Sequence, residues 1–334
     1  MIRGPRVSVI VPAFQSGARI GPTLARLRRQ TFTDFEVIVV NDGSTDDTSA
    51  IVARLIDADA RIRLFEQGNS GIAAARNRGI DAARGDVVAF LDDDDLWHPR
   101  KLELQIARLD AVPGAAVVSC YSALVDSAGR LLGWRLGGKR EGNVYREMLE
   151  WDMVSGGSVA LVSRRSLEEA GGFDVSLPDR ADWDLWIRLA RRHCFSCVPQ
   201  TLVGYTRRAG SVSRSYERMV EQGQAVLAKA RREDPTITAD DYRAFLARDL
   251  FGAACLCLAD DECTEAWHYL SRALHSEPGI ILMRPRRLGV MLMLTLSSAL
   301  PERMYRRMAV AAMSRAAFRL EAGAPFDSLA PEPM

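Results

Sequence analysis

Residues 85–99 read Gly-Asp-Val-Val-Ala-Phe-Leu-Asp-Asp-Asp-Asp-Leu-Trp-His-Pro. Val87–Leu91 is a short apolar run bounded by Gly85, which suits a buried strand. It runs straight into Asp92, Asp93, Asp94 and Asp95. Four adjacent carboxylates repel one another. On a solvated turn the cost is small, and an acidic surface turn is the plain alternative. Tied to a buried strand end, at least two of the carboxylates are expected to converge. A hard divalent ion with oxygen ligands is then the natural counter-charge, with positions left open for a diphosphate.

Upstream of this stretch, strand and helix signals alternate. Val7–Phe14 and Phe35–Val40 are β-branched apolar runs, and Ile62–Phe65 is a shorter one. Ala18–Gln30 has helical spacing through Ile20, Leu24 and Leu27. Thr45-Asp46-Asp47 caps a second helix through Ile56, and Gly71–Ala83 is a third. This order predicts an α/β fold, a mostly parallel sheet flanked by helices. Right-handed crossovers place the strand C-termini on one edge, where ligands bind in open α/β sheets. Asn41, Asp42 and Asp92–Asp95 all fall at that edge.

Downstream the pattern is mixed. Strands are expected at Ala115–Tyr121, Ser158–Val162 and Pro199–Tyr205, and helices at Lys101–Leu109 and Trp183–Arg192. From residue 216 only helical signals remain, at Tyr242–Cys257, Glu265–His275, Leu288–Leu300 and Arg303–Leu320. The expected division is a sheet domain over 1–215, an all-helical extension over 216–322, and a disordered tail over 323–334.

Composition excludes some classes. With 48 % hydrophobic residues the chain can bury a core. Lys and Arg number 44 against 43 Asp and Glu, a balance that argues against nucleic acid as a partner. Six cysteines are too few for a disulfide scaffold and read as reduced thiols. No secretion signal is read at the N-terminus. The longest uncharged apolar stretch, Leu288–Leu300, is short of the roughly 20 residues that span a bilayer. Residues 271–320 hold nine arginines and two acids. Segment 285–320 is therefore expected either to lie peripherally on an anionic membrane or to pack on the sheet domain, with a protein interface as a third possibility. The expected location is cytoplasmic, with the inner face of the cytoplasmic membrane as the membrane option.

In chain order the sequence also carries VSVIVPAF, VNDGSTDDT, GIAAARNRGI, GDVVAFLDDDDLWHP, GGFD and DWDLWIRLA. Together, over residues 5–213, these resemble the family 2 glycosyltransferases of GT-A fold. The resemblance implies a nucleotide-sugar donor, Mn²⁺ or Mg²⁺, and transfer with inversion to a hydroxyl of a saccharide or polyprenyl-linked acceptor. A UDP-sugar is the family's default donor. Asp42 matches the acid that hydrogen-bonds the base, and Pro12 and Ala13 match the strand end that flanks it. Arg76 matches a position contacting the base or donor phosphates, although a helix-surface salt bridge would also place it there. The acid run matches the D-x-D motif in two registers, Asp92-x-Asp94 or Asp93-x-Asp95. One acid, Asp93 or Asp94, is expected on the ribose side, and Asp92, Asp94 and Asp95 are the candidate metal ligands. Trp97 is expected to pack behind the acid run.

Asp182 matches the general base, with Asp184 as competitor and a helix N-cap as the structural alternative. Gly156, Gly157 and Trp183 fall on the acceptor side. The Gly171–Asp174 motif matches a neighbouring loop, and in both glycine loops a plain structural turn explains the glycines equally well. The chain departs from the family pattern at Ala181, where Glu is usual, and at Arg208, which replaces His and becomes a candidate diphosphate contact. No Q-x-x-R-W motif is found, which favours single-sugar transfer. Two other functions fit less well: a catalytically inactive GT-A scaffold that binds nucleotide-sugar, and a nucleotidyltransferase, for which the phosphate loop is missing.

Overall fold

The computed structural model describes residues 4–136, 141–206, 216–259, 262–279 and 326. The described residues form two compact units. One holds 4–145, 153–206 and Phe326, and the other 146–152 and 216–279.

The first unit begins with β1 (Val7–Ala13), α1 (Gly17–Leu27), β2 (Phe35–Asp42), α2 (Thr48–Ile56), β3 (Ile62–Gln67), α3 (Ile72–Ala82) and β4 (Val87–Phe90). Every residue of β1, β2 and β4 is buried, as expected of strands covered on both faces. β1 pairs in parallel with both β2 and β4, and β2 with β3. The expected parallel half-sheet is present. Helix α3 lies very close to β1: a Cβ added at Gly79 would sit 2.3 Å from Ile10 Cγ2. Beneath the sheet's other end, Ser8 Oγ donates to Glu36 Oε1 at 2.8 Å, and Glu36 pairs with Arg63 at 2.8 Å. Both partners of this buried network are satisfied.

The chain continues through β5 (Leu96–Trp97), α4 (Lys101–Ala111), β6 (Ala115–Val125), β7 (Leu131–Leu136), α5 (Tyr145–Glu150), β8 (Leu161–Ser163), α6 (Arg164–Ala170), α7 (Ala181–Ala190) and β9 (Cys194–Thr206). The nine-stranded sheet has the order β3-β2-β1-β4-β8-β6-β9-β5, with β7 added beside β6. β8 runs antiparallel to β4 and β6, and β9 runs parallel to β6. The C-terminal ends of β1, β2, β4, β6 and β9 therefore share one edge. β5 and β7 are strands that the sequence pattern did not announce. β5 is two residues long and exists by pairing with Val203 and Gly204 of β9. Phe326 is buried against Ala123, Val125 and Leu131, and its N–H donates to Gly129 C=O at 3.0 Å.

The second unit is helical: α8 (Tyr216–Glu233), α9 (Ala239–Ala259) and α10 (Cys263–Ser276). Small residues let α9 and α10 approach, and Ala247, Ala254, Ala266, Leu270 and Ala273 are fully buried between them. Among the described residues no helix is long and apolar enough to cross a membrane. Segment 285–320 and Arg208 lie outside the described residues.

Candidate active site

The acid run closes into a tight turn, in which Asp95 N–H donates to Asp92 C=O at 3.1 Å. A turn sends successive side chains in different directions, and here each carboxylate has its own setting. Asp92 Oδ1 accepts from Arg76 Nη2 at 2.7 Å. Asp93 turns to α1, where Ser16 Oγ and the Arg19 guanidinium hold its Oδ2, the latter at 2.7 Å from Nη2. Asp94 contributes its carbonyl to the Thr206 hydroxyl. Asp95 is 2 % exposed, and its Oδ1 accepts from Thr206 N–H at 3.2 Å. Burial, then the charges of Asp92 and Asp94, push the Asp95 carboxyl well above the ordinary carboxylate range, against hydrogen bonds from Ser158 and Thr206. Asp92 and Asp94 thus act on Asp95, while Asp93 is held by Ser16 and Arg19.

Ser158, from the Gly-Gly-Ser loop, holds both ends of this turn. Its Oγ accepts from Asp92 N–H at 3.0 Å, and it hydrogen-bonds the Asp95 carboxyl. Its carbonyl accepts from Trp97 Nε1 at 3.0 Å, which fixes the buried indole behind the acid turn. Neither Ser16 nor Arg19 stood out in the sequence, because each meets the turn only through long-range packing.

Arg76 is the more deeply buried of the two arginines that pair with the acid turn. It sits on α3, buried, with its guanidinium carbon 5.3 Å from the centre of the Phe173 ring. Burial opposes its charge, yet Asp92, Asp182 and Asp95 together hold its pKa above the ordinary value. The acid turn and the first turn of α7 therefore act on one guanidinium. Arg76 does form a salt bridge, with Asp92 at 2.7 Å, but a buried one rather than one on the helix surface. Gly157 packs closely beside it, and a Cβ there would lie 3.0 Å from Arg76 Nη2. Gly156 has φ of +111°, a conformation that favours glycine. Both glycines shape the loop under Arg76.

The two acids of α7 separate clearly. The helix starts at Ala181, so Asp182 is its second residue, part-exposed, with Oδ1 accepting from Trp183 N–H at 2.9 Å. Asp184 is buried and paired with Arg188 at 2.7 Å. Trp183 differs from its expected place on the acceptor side. It is 0 % exposed, with the Arg180 guanidinium carbon 5.1 Å from its ring centre, so its indole packs at the helix start and presents no open surface.

At the β2 end, Asp42 is buried. Its Oδ1 accepts from Gln67 Nε2 and Ser70 N–H, and its Oδ2 from Gly71 N–H, at 2.8–2.9 Å. Pro12 and Ala13 are buried at the end of β1, followed by the exposed Phe14 and by Gln15 at φ of +50°. That left-handed residue turns the chain toward Ser44, whose Oγ accepts from Gln15 N–H.

Among the described residues no three acidic, histidine or cysteine side chains form a ready-made metal cage. Mg²⁺-type sites do not need one. They use one or two carboxylates, retained waters and substrate phosphates. The donor set at the acid turn is all oxygen, which suits such an ion.

An α/β sheet of this order, with an acid turn at the C-terminal edge of its parallel strands, is a GT-A fold. S. aureus TarS 1–349, in complex with UDP-GlcNAc, superimposes with a TM-score of 0.60 at 20 % identity, covering 92 % of this chain and 91 % of that one. The mannosyltransferase PcManGT from Pyrobaculum calidifontis, in complex with GDP-Man and Mn²⁺, gives 0.59 at 20 % identity, covering 94 % and 88 %. Residues 8–171 match glycosyl transferase family 2. An uncharacterized glycosyltransferase of Rickettsia bellii (strain RML369-C) is 32 % identical over 205 residues, 60 % of this chain and 29 % of that protein. The chain spans about a third of the length of such curated relatives.

Proposed function

We propose that this chain is an inverting glycosyltransferase that moves one sugar from a UDP-sugar to a hydroxyl of a saccharide or polyprenyl-linked acceptor. The observation that carries the reading is the buried Arg76, on which the acid turn and Asp182 act together. A site for phosphate-bearing donor and a base for the acceptor then lie within one electrostatic setting. The complexes of TarS with UDP-GlcNAc and of PcManGT with GDP-Man and Mn²⁺ support nucleotide-sugar donors on this fold.

In the reaction, Asp182 takes the proton of the acceptor hydroxyl as its oxygen attacks the anomeric carbon. The bond to the diphosphate breaks in the same displacement, and configuration inverts. Asp92 and Asp94 would hold Mn²⁺ or Mg²⁺, with Asp95 supporting the turn from beneath. The ion would supply electrostatic stabilisation of the departing diphosphate. Arg76 orients Asp92 and adds positive charge on the donor side. Asp184, buried with Arg188, takes no part in proton transfer.

Asp42 supports uridine as the base. A carboxylate offers about four acceptor positions, and among the described residues three are taken, by Gln67, Ser70 and Gly71. The remaining one, on Oδ2, suits the single N3–H of uracil. Guanine presents N1–H and N2–H side by side and needs two. The arginine-rich segment 285–320 would hold the enzyme at the anionic inner face of the cytoplasmic membrane.

The test is release of nucleoside diphosphate from a panel of UDP- and GDP-sugars, with Mn²⁺ or Mg²⁺ and with EDTA. Metal-dependent release from a UDP-sugar is expected, lost in Asp182→Asn while UDP still binds. No binding of any nucleoside diphosphate by calorimetry would overturn the reading.

A further inference from the structure

Asn77, the Gly171–Phe173 loop and Arg188 have no part in the reaction above, yet they form one construction. Asn77 follows Arg76 on α3. Its amide grips a single backbone residue twice: Phe173 N–H donates to Asn77 Oδ1, and Asn77 Nδ2 donates to Phe173 C=O, both at 2.8 Å. The loop lies hard against this amide. Gly172 has φ of +70°, and a Cβ there would sit 2.6 Å from Asn77 Oδ1. Arg188 grips the same loop from α7. Its Nη2 donates to Gly172 C=O at 2.7 Å and its Nη1 to Ala170 C=O. Its Nε donates to Asp184 Oδ2 at 2.8 Å, which fixes the fork. The Phe173 ring packs edge-on against Phe90 at 5.1 Å and carries Arg76 on its face.

One side chain of the grip is therefore next to Arg76, and the other is on α7, the helix that carries Asp182 in its first turn. We propose that Asn77 and Arg188 are positioning residues, which fix α7 and Asp182 against Arg76 and the acid turn through the 170–173 loop. The proposal rests on Asp182 being the base. A base must stand within hydrogen-bond reach of the acceptor hydroxyl, and a shift of about 1 Å costs on the order of 100-fold in rate. Two helices joined only by apolar packing can slide by that much. A bidentate amide at one end and a three-pronged guanidinium at the other oppose the slide.

The experiment uses the full chain with Asn77→Ala, Arg188→Lys and the double variant. Lysine keeps the charge beside Asp184 but cannot span three acceptors. Turnover, UDP affinity by calorimetry and hydrogen exchange by mass spectrometry are measured on each. Turnover is expected to fall about 10- to 100-fold in each single variant, with UDP affinity changed less than about threefold. The double variant is expected to lose less than the product of the two, because both act on one loop. Exchange is expected to rise in residues 170–173 and also in the first turn of α7, residues 181–184. Loosening confined to 170–173, or unchanged turnover in a folded Asn77→Ala, overturns the proposal. If the unaltered chain transfers no sugar, the reaction assignment falls, and the exchange pattern still decides whether the loop holds α7.

Discussion

Lys101 gives the sharpest physical prediction. It is wholly buried, donates to Gln105 Oε1 at 2.7 Å, and stands 3.8 Å from the centre of the Trp97 ring that backs the acid turn. Burial lowers its pKa from 10.5 to about 8. Below pH 8 both the folded and unfolded chains hold the proton, and the folded state bears the desolvation cost. Between pH 8 and 10.5 the unfolded chain binds a proton that the folded one lacks. Stability therefore rises with pH there, by up to about 1.4 kcal/mol per unit and about 3 kcal/mol in all. Cys120, in the same core, opposes this. Burial raises its pKa from 9.0 to about 12, so above pH 9 the unfolded thiol loses a proton that the folded one keeps, and stability falls at the same slope. The pair contributes a rise between pH 8 and 9, then a plateau to 10.5. Lys101→Met removes the rising part. The lost Gln105 and Trp97 contacts add an offset that does not change with pH. Urea unfolding of both proteins at pH 7, 8, 9 and 10 reads the slope directly. The free-energy difference should shift toward the lysine protein by about 1.4 kcal/mol per unit above pH 8. A difference independent of pH from 7 to 10 would refute the buried, depressed lysine.

Asp182→Asn should cut turnover by roughly 10²–10⁴ with its unfolding midpoint unchanged, while Asp184→Asn should lose about 3 kcal/mol of stability in denaturant titration. The reverse pattern would exchange their roles. Gly79→Ala should destabilise by about 1–3 kcal/mol because its Cβ meets Ile10 2.3 Å away, and adding Ile10→Ala should return part of that loss in urea titration. Gly172→Ala should lower the thermal midpoint and turnover together, since the new Cβ would face both a left-handed backbone and Asn77 Oδ1. UDP should bind at least about tenfold more tightly than GDP by calorimetry, from the one acceptor position left on Asp42; equal affinities would remove Asp42 from base selection.

The parallel half of the sheet was legible because β1, β2 and β4 are largely apolar, buried runs, and acids follow directly at the ends of β2 and β4. β5 was not legible, because two residues carry no period and Leu96-Trp97 becomes a strand only through β9. The acid run shows the same limit at the site. Repulsion among four aspartates demands counter-charges and was read as convergence. Which partner each acid takes depends on Arg19, Arg76 and Thr206, between 16 and 112 residues away along the chain. Chain order brings those elements to one edge but does not say which side chain faces which.

The acids of α7 are different, because the sequence held the distinguishing signal. On a helix, residues four apart share a face. Asp184 has Arg188 at that spacing, and the pair forms in the structure. Asp182 has Trp186 there, which is buried and offers no charge. An acid with a cation one turn on is already engaged, whereas its neighbour at i−2, rotated by about 200°, has to find its electrostatic partner on another element. For Asp182 that partner is Arg76 on α3. A structural carboxylate satisfied within its own helix can lie buried without a ligand. One whose counter-charge comes from across a site stays at the surface where those elements meet, and in the reaction proposed above that is where the acceptor hydroxyl arrives.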